Sequence, residues 1–346
     1  MTTCWAPLLV GAAIVVVMTG SAAAEPVDPP PPGVGIRLVE APTDRADDPR
    51  ARSYIIDRVG AGSTFTRRIE VSNGDPQPMD VLLYGTTATL RDGDFSVGPA
   101  DATGGVAEWI SVTPRSARLQ PGQRLEAVVS VTVAEDAPDD EYYGAVVVER
   151  PAVRGVAGVS NGLRAAVRVY LSVGQGSEPA SDFLVDSMAA ERGADGRPVV
   201  TALVRNTGGR ALDLSGSLSL SEGPGGLSGG PFLAQLGTTL APGDTGPVTV
   251  PLDQAVRGGP WIATLTLRSG LLERQARAQI TFPDDAGEQA APVAAENLSP
   301  AEDPRILIPI AVSLILLIAL LLAWWLLARR RARPEHREEQ ELVPAG

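Results

Sequence analysis

Apolar residues follow two patterns along this chain, and each predicts a different kind of element. Between residues 35 and 282 they come in short runs with a period of two, the signature of strands with one face buried. Phe65, Ile69 and Val71 alternate with polar neighbours and end at the turn sequence Asn73-Gly74-Asp75-Pro76. Strands are expected over 35–40, 65–73, 79–88, 109–112, 125–133, 142–149 and 164–173. Val81 and Leu83 share a face in one of them, and Val129, Val131 and Val133 in another. A second set covers 182–186, 199–205, 212–220, 232–236, 247–252, 261–267 and 275–282. About seven strands per set predict an all-β ectodomain of two immunoglobulin-like β-sandwiches, over 35–175 and 180–283. A barrel is the alternative for the first. The polar stretch 174–179 links them.

The other pattern is the unbroken apolar run. Residues 8–17 form a short one, followed by Ala22-Ala23-Ala24, which predicts a signal peptide over 1–24. An uncleaved signal anchor is the alternative, because no Arg or Lys precedes the run. Residues 306–328 carry no charged side chain, and a bilayer needs about 20 such residues in a helix. Arg329, Arg330, Arg331 and Arg333 follow at once, and Trp324 and Trp325 fall where an inner membrane interface would lie. A C-terminal transmembrane α-helix is therefore expected. It predicts a single-pass protein of the cell membrane with its N-terminus outside and the tail, 329–346, in the cytoplasm. Residues 25–34 read as a Pro-rich leader. Residues 284–304, rich in Ala, Pro and acids, read as an extended stalk.

The two sandwiches repeat one plan. Val71-Ser72-Asn73 matches Val204-Arg205-Asn206, and Leu119-Gln120-Pro121-Gly122 matches Leu240-Ala241-Pro242-Gly243. Tyr143-Gly144-Ala145 likewise matches Trp261-Ile262-Ala263. Asn tolerates left-handed backbone after a strand and Pro-Gly suits a type II turn, so the matches speak for fold.

Composition narrows the chemistry. Cys4 is the only cysteine and His336 the only histidine, one in the expected signal peptide and the other in the expected tail. The ectodomain thus has no His base, no thiol nucleophile and no His or Cys metal ligand, which argues against an enzyme and calls for no cofactor. All basic residues are Arg. Of the net charge of −12, the tail contributes +1 and Arg305 another +1, leaving −14 for residues 25–304. That balance disfavours nucleic acid as a partner. The acids Asp92 and Asp94 lie in an expected turn, as do Asp136, Asp139, Asp140 and Glu141, where solvated Asp is the ordinary choice. Neither cluster has EF-hand spacing, although a calcium ion at one loop stays open. If the exterior contacts a ligand, Tyr84, Asp92, Asp94, Trp109 and Tyr142 are the candidates, with core packing as the competing role of the aromatics. The Gly-rich loops 92–98 and 155–161 are where contacts are expected.

Three segments carry a resemblance: Tyr54-Ile55-Ile56 with 64–73, Trp109-Ile110-Ser111-Val112 with Leu119 to Gly122, and Asp136-Ala137-Pro138 with Tyr142 to Ala145. Their order resembles the N-terminal domain of the WxL-interacting surface proteins of Gram-positive bacteria. The resemblance implies a peptidoglycan-binding first domain and a second domain that binds a partner surface, both on a membrane anchor. The expected function is a binding or scaffold protein of the cell envelope, with peptidoglycan or a secreted surface protein as partner. An accessory or sensor subunit of an envelope or secretion system is the alternative, and a wall-polymer enzyme a distant third.

Overall fold

The computed structural model describes residues 32–154, 160–298 and 304–331. The signal peptide, most of the leader, residues 155–159 of the second Gly-rich loop, residues 299–303 and the tail beyond 331 lie outside the described residues.

The first domain packs two sheets face to face. One has the order β1 (Val34–Leu38), β3 (Thr64–Asn73), β8 (Arg124–Thr132), β6 (Ile110–Thr113). The other runs β2 (Ile55–Val59), β10 (Ser160–Val173), β9 (Asp140–Arg154), β4 (Met79–Arg91), β5 (Asp94–Val97), with β7 (Ser116–Leu119) also on β4. A single turn of helix, α1 (Val106–Trp109), precedes β6. Alternation works as the sequence suggests: Ile69, Val71, Val129 and Val131 face Val146, Val148, Val169 and Leu171 across the core.

Strand β2 breaks the rule. Ile55 and Ile56 are both buried although they point to opposite faces. Ile55 joins the core of the sandwich, and Ile56 packs with Tyr170 and with Ala211 of the second domain. At this end of the sheet the outer face is covered by the neighbouring domain.

The second domain has one sheet of β17 (Thr245–Pro251), β12 (Pro198–Asn206), β11 (Phe183–Arg192) and β20 (Val293–Ala294). Facing it is a sheet of β15 (Gly229–Leu233), β14 (Ser215–Ser221), β18 (Trp261–Ser269), β19 (Leu272–Ile280) and β21 (Glu296–Leu298). The strand expected over 212–220 is split. Leu212–Asp213, β13, pairs with β16 (Thr239–Leu240), and the chain crosses at the buried Leu214 before β14 joins the other sheet. In the Gly-rich loop, Gly223 lies against the Trp261 ring, where an added Cβ would stand 2.1 Å from a ring carbon. Close approach, and not a ligand cradle, accounts for that glycine.

Each domain holds one buried asparagine in the same knot. Asn73 Nδ2 donates to the Gln77 and Leu119 carbonyls, 2.9 and 3.1 Å, and its Oδ1 accepts from Asp75 N. Asn206 Nδ2 donates to the Arg210 and Leu240 carbonyls, 2.7 and 3.1 Å, and its Oδ1 accepts from Gly208 N. The Pro-Gly turn closes each knot, with Gly122 N on Asn73 O and Gly243 N on Asn206 O. The matched motifs are thus the two ends of one interaction.

The segment expected as a free stalk differs. Residues 287–298 run antiparallel along β11 and then along β19. Gly287 N donates to Arg192 O, Val293 and Ala294 pair with Met188 and Ser187, and Glu296 to Leu298 pair with Arg277 to Gln275. Asn297 spends its amide on both backbone groups of Val185. This strap closes the edges of both sheets. The helix α2 (Pro304–Arg331) follows. Its described side chains, residues 312–325, are all exposed, and among the described residues no helix is long and apolar enough to cross a membrane.

Asp57 on β2 donates no proton but accepts one hydrogen bond from Arg67 Nη2, at 2.5 Å, while its Oδ2 and Arg67 Nε are buried without a partner. Burial pushes its carboxyl from 3.8 up to about 6, against the pull of Arg67 and Arg45. The folded state therefore holds this proton more tightly than the unfolded one. The contribution of Asp57 to stability is greatest below pH 3.8 and falls as pH rises to about 6. Asp57→Asn should flatten that part of the stability-pH curve in denaturant titrations; an unchanged slope would show that Asp57 does not carry it. For the knots, Asn73→Ala and Asn206→Ala should each cost on the order of 1–3 kcal/mol by leaving buried carbonyls unpaired. Urea unfolding measures this, and losses below a few tenths of a kcal/mol would mean that water takes over the role of the amide.

Candidate functional site

The densest polar constellation lies where the domains meet. In the apolar-polar alternation of β10, Val167, Val169 and Leu171 face the core and Arg168 and Tyr170 face outward, toward the second domain. The turn 50–52 brings Arg50, β5 brings Phe95, and Tyr54 precedes β2. From the other domain come Asp213 on β13 and Thr239 on β16.

Asp213 is the hub. Its Oδ1 accepts from Arg168 Nη1 at 2.7 Å, from the Tyr170 hydroxyl at 2.7 Å and from Thr239 Oγ1 at 3.0 Å. Its Oδ2 accepts from Arg50 Nε at 2.9 Å and lies 2.7 Å from Arg50 Nη2. Arg168 is also stacked between rings, 4.6 Å from the Phe95 centroid and 5.4 Å from that of Tyr54. Arg50 covers the Tyr170 ring at 5.0 Å. Burial pushes the Tyr170 hydroxyl up, and the charge of Asp213 adds to it, so the phenol stays a donor. Burial pulls the Arg168 guanidinium down, but Tyr170 and Asp213 more than offset it, and it is raised.

A second ion cluster flanks the first. Glu178, in the linker, bridges Arg45 at 2.6 Å and Arg210 at 3.0 Å. Burial lowers Arg210 despite Glu178, with Arg45 and Arg50 pushing the same way. The β4–β5 hairpin adds a backbone contact, Thr239 N to Gly93 O at 2.6 Å. Arg50 stands between two open clefts. One of about 540 Å³ is lined by Tyr54, Arg168, Asp213, Leu236 and Thr239. The other, of about 400 Å³, is lined by Arg45, Asp48, Glu178, Arg210 and Leu271.

The residues singled out from sequence are scattered around this centre. Asp92 and Asp94 flank Gly93, the hairpin tip that docks on the second domain; Asp92 takes a left-handed φ of 54° and both side chains are exposed. Trp109 is buried on α1 with its ring 4.7 Å from that of Tyr142, whose hydroxyl donates to Pro138 O. Tyr84 lies on the outer face of β4, donating to Glu149 at 2.5 Å, with its hydroxyl pushed up to about 12 by burial and by Glu149. Trp324 and Trp325 lie on α2; Arg329, Arg330 and Arg331 end its backbone, their side chains outside the described residues. Arg50, Arg168, Tyr170 and Asp213 were not among the candidates. An Arg and a Tyr on the outer face of the strand that leads into the linker were the available signal. Among the described residues, no group of three or more His, Cys, Asp or Glu is placed to hold a metal ion.

No family model matches the chain, and no curated protein matches it. Solved structures are similar to it at the level of fold. The YadV chaperone is 12% identical with a TM-score of 0.39, covering 71% of this chain and 99% of its own. The Escherichia coli chaperone DraB is 14% identical at 0.36, covering 70% and 95%. The Salmonella enterica SafB chaperone, solved with the SafA pilin, gives 12% and 0.38 over 78% and 98%. Scores this low carry nothing about function. The expected membership in the WxL-interacting family is corrected: no family model supports it, and the three similar structures just named are of chaperones or a chaperone complex, not of WxL-interacting proteins. The structure shows why the motifs misled. Leu119 to Gly122 belong to the asparagine knot, Tyr54 and Ile56 to the domain contact and Ile55 to the core, and Trp109 to Val112 to core packing with Tyr142. Each is what a sandwich of this build requires.

Removing the hub should unlock the joint. Asp213→Ala leaves two guanidinium groups and a phenol without their acceptor, a loss on the order of 1–3 kcal/mol for a charged hydrogen-bonded group that keeps some contact with water. Calorimetry of residues 25–304 should show one transition in the parent and two in the variant, and small-angle scattering a wider spread of sizes. A variant with the parent's single transition would mean that the domains are held by something else.

Proposed function

We propose that the chain is a non-enzymatic binding scaffold of the cell envelope, carried on a membrane anchor and taking a secreted or surface protein as partner. The observation that carries the reading is apolar surface beside the junction. Leu233 and Leu236 are 75% and 81% exposed, in one short segment, and Leu236 lines the larger cleft. Exposed leucines next to a rigid polar cleft, on a body with net charge −14, are the mark of a protein contact and not of a polyanion site. The carboxylate at the cleft, Asp213, is occupied by four side chains and has no free role in acid-base chemistry. The anchor rests on the sequence, the uncharged run 306–328 and the arginines that follow it; the side chains of α2 are described only over 312–325, fewer residues than a span needs.

The test uses purified residues 25–304 on a resin, incubated with secreted proteins and with isolated walls of the same organism. One secreted protein should be retained by the parent and lost by Leu233→Asp/Leu236→Asp. Retention unaffected by the double variant moves the site elsewhere, and release of soluble wall fragments restores the enzyme reading. With neither walls nor proteins retained, an accessory of envelope machinery becomes the better reading. External protease on intact cells should leave a tail epitope protected; its digestion would overturn the orientation.

A further inference from the structure

The path of the strap fixes where the anchor leaves the body. The linker enters the second domain at Phe183, so β11 begins at the junction; its ten residues carry it about 30 Å away, at about 3.3 Å each, to the hairpin at 193–196. Strand β19 likewise begins at the junction end. The hairpin before it, Gly270–Leu271, abuts the first domain, where a Cβ on Gly270 would meet Asp48 at 2.7 Å. The strap is antiparallel to both. It starts at the far end, with Gly287 on Arg192, and finishes at the near end, with Asn297 on Val185 and Leu298 opposite Gln275. The chain thus walks back the length of the second domain before α2 begins.

Only residues 299–303 lie between Leu298 and Pro304, a reach of no more than about 20 Å at about 3.3 Å per residue. Leu271 is four residues along from Gln275, and 73% exposed at its hairpin tip. We infer that the body is attached to the membrane at its waist, with the junction end of the second domain and the Leu271 tip against the lipid headgroups. This rests on reading α2 as the anchor. The occupant of the Leu271 surface is the same bilayer that holds α2, because a tether of at most about 20 Å keeps the bilayer beside the end of the domain where Leu271 is exposed. The far hairpin, with Asp195 at its tip, then points away from the lipid, and the larger cleft opens close to the membrane, on the β15 side of the domain opposite the strap.

The experiment uses the full chain with Cys4→Ser, reconstituted in liposomes containing a headgroup-linked quencher, with a fluorophore on Leu271→Cys or on Asp195→Cys. The Leu271 probe should be quenched several-fold more than the Asp195 probe. Flotation of each sample separates the two readings. A chain that does not float overturns the anchor and this inference with it. A chain that floats with equal quenching at the two sites, or with more at Asp195, overturns the waist attachment alone.

Discussion

A carboxylate largely withdrawn from water must be matched or it destabilises the fold, and Asp213 imposes that requirement on everything around it. Removing an ion from water costs several kcal/mol after relaxation. Here the cost is offset only when segments far apart in sequence arrive together: the turn carrying Arg50, strand β10 carrying Arg168 and Tyr170, and Thr239 on β16. Thr239 stands opposite Asp213 within the second domain, but Arg50, Arg168 and Tyr170 reach it only when both sandwiches are formed. The joint is therefore conditional on two folded domains and sets their relation once they exist. Arginine suits this place for a stated reason: its planar group hydrogen-bonds at the edge while its faces lie on Tyr54 and Phe95. In a chain without lysine, every such position is filled that way.

What could be read from the sequence follows the physics of each element. Strands with one face in the core, such as β3 and β8, announce themselves by period. Strand β2 does not, because Ile55 and Ile56 are buried by different domains and the alternation disappears. The run 212–220 reads as one strand, since Leu212, Leu214, Leu218 and Leu220 are all buried, yet it serves two sheets. The strap has no period because backbone pairing holds it while its side chains, Ala295 and a few others apart, stay exposed. The asparagine knots were legible as a repeat before their chemistry was visible, since the same short motif recurs at both ends of the interaction.

The site was less legible. Tyr84, Asp92, Asp94, Trp109 and Tyr142 were chosen as aromatics and turn acids that stand out locally, and locally they are explained: by Glu149, by a tight hairpin, by each other. The junction depends on contacts between residues 43 to 163 positions apart. Arg168 and Tyr170 on the outer face of β10 hint that something covers that face. Nothing in the sequence says that it is Asp213.

The strap also decides how the molecule bears load. It leaves the second domain in the direction in which it runs, so tension from the helix end pulls along its axis. The hydrogen bonds to β11 and β19 stand across that axis. A pull is then shared by all of them in shear, instead of opening them one after another from an end. The clasp of Asn297 on Val185, close to the point of exit, takes up the same strain. The chain is thereby braced against tension at the place where a free stalk would have been slack.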